Sequence, residues 1–185
     1  MKISVAALTF FFLSLHAAET TAQPGEVSDR DDGIVQSPGG QDCCVAESKN
    51  CKFGVAFGAS ISTGGNIGPF NTGTILVYKK VYFNTGSFNR GTGIFTAPVK
   101  GAYYFSFSGH NLSSKPMSLQ LMKNGQQMVT VVNHVAGNRY ETATNGMTLQ
   151  LEVGDQVYMR LYENTWIFDN SNDHSTFIGH LLFPL

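Results

Sequence analysis

Charged residues are scarce in this chain of 185 residues: Asp, Glu, Lys and Arg make up 14% of it, and the formal net charge is −1. Binding to nucleic acid or to an anionic membrane depends on clustered Lys and Arg, and the sequence has no such basic stripe. The composition therefore gives no electrostatic reason to expect either nucleic acid or an anionic membrane as a partner. Hydrophobic residues reach 42%, enough for a real core in one domain with short appendages.

Catalytic motifs are also missing. The sequence contains no His-Glu-x-x-His, no nucleophile elbow and no phosphate-binding loop. Gly91-Thr92-Gly93 is followed by no helical pattern, which favours a turn over a dinucleotide site. The histidines beyond the N-terminal segment are interpreted as surface or interface residues rather than acid–base groups: His110, His134, His174 and His180. We therefore predict that the protein is not an enzyme.

Long hydrophobic runs are absent apart from a short one at the N-terminus. Lys2 precedes an apolar stretch from Val5 to Leu15, and small residues follow, with cleavage plausible after Ala18 or Ala22. This is the pattern of a secretory signal peptide, predicted here over residues 1–22. The run is too short to cross a hydrocarbon core of about 30 Å. The sequence thus predicts a secreted, extracellular protein with no membrane span.

Cysteine is rare, and its count is odd. Cys43, Cys44 and Cys51 are the only three, and in a secreted chain at least one of them must stay free or pair with another chain. We favour an interchain disulfide that links protomers or assemblies. The alternative is one local intrachain loop to Cys51 with a free or capped thiol. No histidine lies near them at a zinc-ligand spacing.

Residues 23–51 are predicted to be a linker or stalk that carries these cysteines. The segment from Gln23 to Gln41 is rich in Gly, Pro, Ser and Asp and has almost no large apolar side chains. It has neither a glycine at every third position, as collagen requires, nor heptads long enough for a coiled coil.

From Lys52 onward the sequence alternates between apolar and polar residues, as half-buried strands do. Tyr103, Phe105 and Phe107 alternate with smaller or more polar neighbours, and Asn124-Gly125 is a strong hairpin signal. No segment shows helical periodicity over three turns. Nine or ten short strands at regular spacing predict an all-β sandwich or jelly roll over residues 52–185.

Five segments, in order, resemble the globular head of complement C1q. The central one is Phe95–Phe107, which reads FTAPVKGAYYFSF. The other four are Val55–Phe57 (VAF), Lys123–Gly125 (KNG), Asn145–Tyr158 (NGMTLQLEVGDQVY) and Ser175–Leu182 (STFIGHLL). The resemblance covers the whole predicted domain. It departs from the family pattern at Tyr78, where a Phe is usual, and in a segment from Tyr78 to Phe88 that is one residue short.

The resemblance implies a ten-strand jelly roll of the C1q and tumour necrosis factor type that associates as a homotrimer. Because the collagen stem is missing, the chain is similar to the short, head-only secreted members such as the cerebellins, in which cysteines ahead of the head link trimers. Closed symmetry would also bury sheet edges and apolar patches, but only the resemblance selects three subunits over two.

Calcium is considered as a cofactor because Asp169 and Asp173 share a loop with Asn170 and Asn172, all of them oxygen ligands. The favoured alternative is a solvated loop that uses Asn and Asp for its turns. Some members of the family resembled here hold calcium near the trimer axis through acidic residues, and the nearest positions in this chain are Met117 and Gly125, which cannot supply a carboxylate.

Two further sites are predicted on loops. Asn111-Leu112-Ser113 is a glycosylation sequon, expected in a solvent-facing loop after a strand. Tyr162, Trp166 and Phe168 lie in or beside the long segment from Glu163 to His174 and could anchor a partner protein or glycan. They could equally cover the end of the sandwich.

These observations lead to a secreted, non-enzymatic, multivalent recognition protein, with innate immune recognition of surfaces or glycans as the first hypothesis. The alternative is a cerebellin-like signalling or synaptic organiser that bridges protein receptors, and a structural matrix protein is the third. Several weak sites on one assembly would raise avidity in each case. The residues do not identify the ligand.

Overall fold

The computed structural model describes residues 54–185, which form thirteen β-strands and, within that range, no helix. The predicted signal peptide and all three cysteines lie outside the described residues. The strands are β1 (Ala56–Ser60), β2 (Gly65–Ile67), β3 (Thr74–Ile75), β4 (Lys80–Asn84), β5 (Phe88–Asn89), β6 (Ile94–Thr96), β7 (Gly101–Leu112), β8 (Met117–Lys123), β9 (Gln126–Asn133), β10 (Tyr140–Leu151), β11 (Gln156–Leu161), β12 (Ile167–Asp169) and β13 (Thr176–Pro184).

The strands form two antiparallel sheets. Sheet A has the order β2-β12-β7-β13-β1-β4, and β10 pairs with the other edge of β7 along its whole length. Sheet B has the order β5-β6-β11-β8-β9, with β3 also paired to β11. The all-β jelly-roll prediction is confirmed. The strand count exceeds ten because pairings of only two or three residues, such as β3 and β5, carry no readable alternation.

Aromatic rings fill the space between the sheets. Phe57 on β1 lies 4.4 Å from Phe88 and 5.4 Å from Phe95, measured between ring centroids, and meets Phe177 edge-on at 4.9 Å. Such stacked and edge-to-face pairs add to the stabilisation from burial itself. Gly179 faces this cluster, and a Cβ there would sit 2.6 Å from ring atoms of Phe57 and Phe105. Because Gly179 has no side chain, the rings of Phe57 and Phe105 can pack against β13.

The alternation read from the sequence identifies most of this core. The predicted inward residues of β7, β8 and β11 are 0% or 1% exposed: Tyr103, Phe105, Phe107, Met117, Leu119, Leu121, Val157, Met159 and Leu161. Two residues assigned to the same pattern differ. Met147 is 37% exposed, and Val153 is 68% exposed because β10 ends at Leu151 and Val153 belongs to the following turn.

The Asn124-Gly125 hairpin is also confirmed. The two residues join β8 to β9 with φ angles of 49° and 84°. Positive φ at both central positions is the backbone that a tight two-residue hairpin needs, and Asn followed by Gly adopts it with the least strain.

Tyr78, the position where a Phe is usual, is fully buried, and its hydroxyl has no hydrogen-bond partner. Burial raises the pKa of Tyr78, and the nearby Asp169 carboxylate raises it further. An unpaired buried hydroxyl costs free energy. We therefore expect Tyr78→Phe to raise the free energy of unfolding by about 1 kcal/mol, measured by urea denaturation.

The matched control for that substitution is Tyr103→Phe. Tyr103 is equally buried, but its hydroxyl donates to the Val99 carbonyl at 2.8 Å. Its removal should lower the free energy of unfolding by about 1 kcal/mol. If both variants shifted in the same direction, the unpaired state of the Tyr78 hydroxyl would not be the cause.

Candidate functional site

The outer face of sheet A, meaning the face turned away from the core, carries exposed apolar side chains. Alternation along β7 sends Tyr103 and Phe105 inward and Tyr104 and Ser106 outward. Because Ile178 pairs with Ser106 and His180 with Tyr104, the outer face continues onto β13. Large apolar residues exposed on or beside it are Ile178 (38%), Leu182 (48%), Phe183 (54%), Phe83 (60%) and Tyr82 (62%). Large apolar side chains exposed together on the β1, β4 and β13 side of one sheet face are typical of an interaction surface.

A polar network closes one edge of this face. Asp173 accepts hydrogen bonds from the Lys80 ammonium and the Tyr82 hydroxyl on one carboxylate oxygen, and from the Ser60 hydroxyl at 2.6 Å on the other. The hydrogen bond from Lys80, followed by those from Ser60 and Tyr82, holds the pKa of Asp173 well below its usual range. The hydrogen bond with Asp173, and next the one with Tyr82, raise the pKa of Lys80. Asp173 therefore ties β4 to the loop before β13.

Asp169 is fully buried at the end of β12 and serves the backbone. One carboxylate oxygen accepts from the backbone N–H of Asn170 at 2.9 Å and of His174 at 2.8 Å, and the other accepts from that of Ser62 at 2.8 Å. These donors satisfy a buried charge that would otherwise be costly. Asp169 thus holds the loop between β12 and β13, a segment for which the sequence predicted no regular structure.

These contacts do not fit a calcium site. Both carboxylates considered as cation ligands already accept hydrogen bonds from protein donors, and Lys80 places a positive charge beside Asp173. No group of three or more His, Cys, Asp or Glu side chains suited to a metal ion occurs among residues 54–185. The chemistry of this loop is that of a hydrogen-bonded turn.

Asp173→Asn provides a pH test of the network. A carboxyl group with a depressed folded pKa contributes stability above its unfolded pKa, near 3.8, and this contribution is lost as the pH falls through the folded value. We expect the wild type to be more stable than D173N at neutral pH, and the gap to narrow progressively below about pH 4. Urea denaturation at a series of pH values measures this. A stability difference between the two proteins that does not change with pH would contradict the lowered pKa of Asp173.

The three aromatic residues predicted as ligand anchors fall into two places. Trp166 is partly buried, and the Lys115 ammonium lies 3.9 Å from its ring centroid, a cation–π contact. Tyr162 follows β11 and is 45% exposed. Phe168 belongs to β12 and pairs with His110 on the outer face of sheet A. Of the three candidates, Trp166 and Tyr162 therefore lie at the loop end, and Phe168 lies on the sheet face.

Sequence reasoning missed a cluster of aromatic rings around His110. A cleft of about 230 Å³ is lined by His110, Tyr140, Phe168, Asn170 and His174. The alternation along β7 places His110 on the same face as Tyr104, and this was the available signal. What the sequence could not show is that β10 and β12 bring Tyr140 and Phe168 against it.

Asn111, the predicted glycosylation acceptor, lies within β7 rather than in a loop. It is 1% exposed, and its amide nitrogen donates to the Lys115 carbonyl at 2.7 Å while its oxygen accepts from Asn133 at 2.8 Å. The solvent-facing loop placement is therefore corrected, because the strand runs one residue beyond Asn111 and the side chain turns inward. Glycosylation itself stays a prediction, and a glycan would displace these hydrogen bonds.

A jelly roll of two antiparallel sheets is the fold of the C1q and tumour necrosis factor class, whose domains are non-enzymatic ligand-binding or signalling modules. The C1q domain model matches residues 56–182, so the chain belongs to the C1q domain family. The whole polar network and the outer face of sheet A as far as Leu182 lie inside the matched region.

Curated relatives agree with this assignment. Caprin-2 of Danio rerio is 37% identical over 131 residues, which cover 70% of this chain and 14% of that protein. Complement C1q tumor necrosis factor-related protein 6 of Mus musculus is 32% identical, covering 58% of this chain and 42% of that protein. Protein 3 of the same series, also from Mus musculus, is 32% identical, covering 70% and 51%. The chain thus spans between 14% and 51% of the length of these relatives.

Solved structures share the fold. The globular domain of zebrafish complement 1qA superposes with a TM-score of 0.57 at 18% identity, covering 71% of this chain and 99% of that chain. The Eiger TNF structure from S. frugiperda gives a TM-score of 0.59 at 13% identity, covering 72% and 96%. Within residues 54–185 there is no helix long and apolar enough to cross a membrane.

Proposed function

We propose that this chain is a secreted, multivalent recognition protein whose heads associate as a homotrimer through the outer face of sheet A. The observation that carries the proposal is the set of large apolar side chains exposed on the β4 and β13 side of that face. Tyr82, Phe83 and Ile178 are exposed there, although the protomer already has a complete core of its own. Water contact with such a patch is unfavourable, and association removes it. Membership in the C1q family, and likeness to an extracellular complement domain, supports three subunits.

We assign ligand recognition to a different part of the molecule, the loop between β11 and β12. Trp166 and Tyr162 lie in or beside the segment between β11 and β12 and combine ring faces with the Lys115 charge. Aromatic faces beside a cation suit a glycan or an acidic surface group, and three copies on one trimer would bind with avidity. Innate immune recognition of surfaces is therefore the first proposal.

The mass of the secreted protein in solution, by light scattering with and without reductant, tests the assembly. We expect three protomers in reductant. A larger multiple without reductant would support the predicted interchain link through Cys43, Cys44 or Cys51. A monomer under both conditions would contradict the proposed contact and the avidity that depends on it.

A second test concerns the ligand. The trimer is titrated against bacterial surfaces and immobilised glycans, and the double variant Trp166→Ala/Tyr162→Ala should weaken binding at least about tenfold, as expected when hot-spot aromatics are truncated. Val135→Ala, which changes another exposed apolar residue, is the matched control. Saturable binding to one cell-surface protein, with no binding to glycans, would instead favour the receptor-bridging alternative.

A further inference from the structure

Two histidines are stacked on the face that we assign to the trimer contact. The ring centroids of His110 and His174 lie 4.2 Å apart with an angle of 22° between the ring planes. Tyr140 stacks on His110 from β10 at 5.2 Å and 5°, and Phe168 approaches it from β12 at 5.8 Å. His110 is 9% exposed. This arrangement suits two neutral imidazoles and is unfavourable for two cations.

The surroundings of His110 supply little compensation for a positive charge. β10 contributes Tyr140 and the Thr142 hydroxyl, which lies 2.7 Å from the His110 Nδ1 atom. β12 contributes Phe168 and the Asp169 carboxylate, whose oxygens already accept hydrogen bonds from backbone N–H groups. Burial, and next the neighbouring His174, lower the pKa of His110 below its ordinary 6.5, and Asp169 offsets this only in part.

We propose that the His110–His174 stack is a pH-sensitive element of the contact between protomers, which holds the trimer together at neutral pH and releases it at mildly acidic pH. The inference rests on the trimer proposed above. The cleft around the stack opens on the same outer face of sheet A, and Tyr140 at its rim is 55% exposed. A second copy of the chain packed there would remove the remaining solvent and make protonation still less favourable.

The direction of the effect follows from linkage. If assembly lowers the pKa of His110 further, His110 supports the trimer at pH values above the pKa that it has in the free protomer, and this support is lost as the pH falls towards the assembled value. If association lowers the pKa by one further unit, the association constant changes about tenfold for each protomer. Because both pKa values lie below the ordinary 6.5, a fall from about pH 7.5 to about pH 5 enters this range.

The experiment measures mass by light scattering at these two pH values over a dilution series, with far-UV circular dichroism to confirm that the heads stay folded. The wild type should be a trimer at the higher pH and a folded monomer at the lower one, with at least a tenfold rise in the midpoint concentration of dissociation. His174→Gln removes the second of the two causes that lower the pKa of His110 and keeps the first, its burial, so this variant should show a smaller rise in the midpoint concentration than the wild type. The double variant His110→Gln/His174→Gln should remain a trimer at both pH values. His134→Gln, an exposed residue outside the stack, should behave as the wild type.

Each contrary outcome is distinct. A wild type that stays trimeric at the lower pH at every concentration overturns the switch and leaves the proposed trimer intact. Dissociation of His174→Gln and of the double variant His110→Gln/His174→Gln to the same extent as the wild type also overturns it, because another group must then titrate. Loss of strand signal together with dissociation identifies unfolding as the cause instead. A wild type that is monomeric even at the higher pH removes the proposed contact and the switch with it.

Discussion

Replacing Phe57 by alanine is expected to lower the free energy of unfolding by about 3–5 kcal/mol. Phe57 is 4% exposed and stands between Phe88, Phe95 and Phe177, so its removal leaves a cavity bounded by rings from both sheets. These rings cannot collapse into the space without breaking their own contacts. Because domains of this size have a stability of about 5–15 kcal/mol, this loss is a large fraction of the total stability, and the variant should unfold at a clearly lower temperature than the wild type.

Urea denaturation followed by circular dichroism measures the change, in reductant so that cysteine chemistry does not contribute. Phe70→Ala is the matched control, since Phe70 is 37% exposed and should lose less than about 1 kcal/mol. Phe57→Leu should fall between the two because it keeps most of the volume. Equal losses for Phe57→Ala and Phe70→Ala would mean that the ring cluster is not the centre of the core.

The second large effect is expected from Ile178→Asp. Ile178 is 38% exposed on the outer face of sheet A and packs on Gly58 rather than into the core. An aspartate there leaves the protomer fold intact but would bury an unpaired charge in each of three symmetry-related contacts, at a cost of several kcal/mol per charge. The variant should therefore be a folded monomer at concentrations where the wild type is a trimer.

Light scattering gives the mass, and circular dichroism shows whether the heads are folded. Val153→Asp is the matched control: Val153 is 68% exposed in the turn between β10 and β11, and the trimer should survive the substitution. A folded I178D protein with the wild-type mass would place the protomer contact elsewhere. Loss of the trimer in both variants would indicate that a general change in charge, not this face, is responsible.

Local pattern accounts for what the sequence predicted well. The buried positions of β7, β8 and β11 follow from the two-residue period of a strand, and the turn at Asn124-Gly125 follows from the conformational preferences of its two residues. Both depend only on neighbours in the chain. The all-β class and the resemblance to C1q rest on the same local information.

Positions near strand ends depended on more than local pattern. Asn111 follows an alternating strand and looked like the start of a loop, yet the pairing of Glu141 with Asn111 extends β7 past it and buries its side chain. Asp169 and Asp173 looked like a solvated or cation-binding pair. Each in fact accepts hydrogen bonds from residues about a hundred positions earlier in the chain, Ser62 for Asp169 and Ser60 for Asp173.

By itself, then, the sequence determined the fold class, the family, the inward residues of the strands and the hairpin turn, because each of these is encoded in the spacing of adjacent residues. Only the tertiary structure decided which distant side chains meet. It brought His110, Tyr140 and His174 into one stack and left the outer face of sheet A apolar and open. The physical reason is that sheet order and register are set by packing between the sheets, which joins residues far apart in the chain.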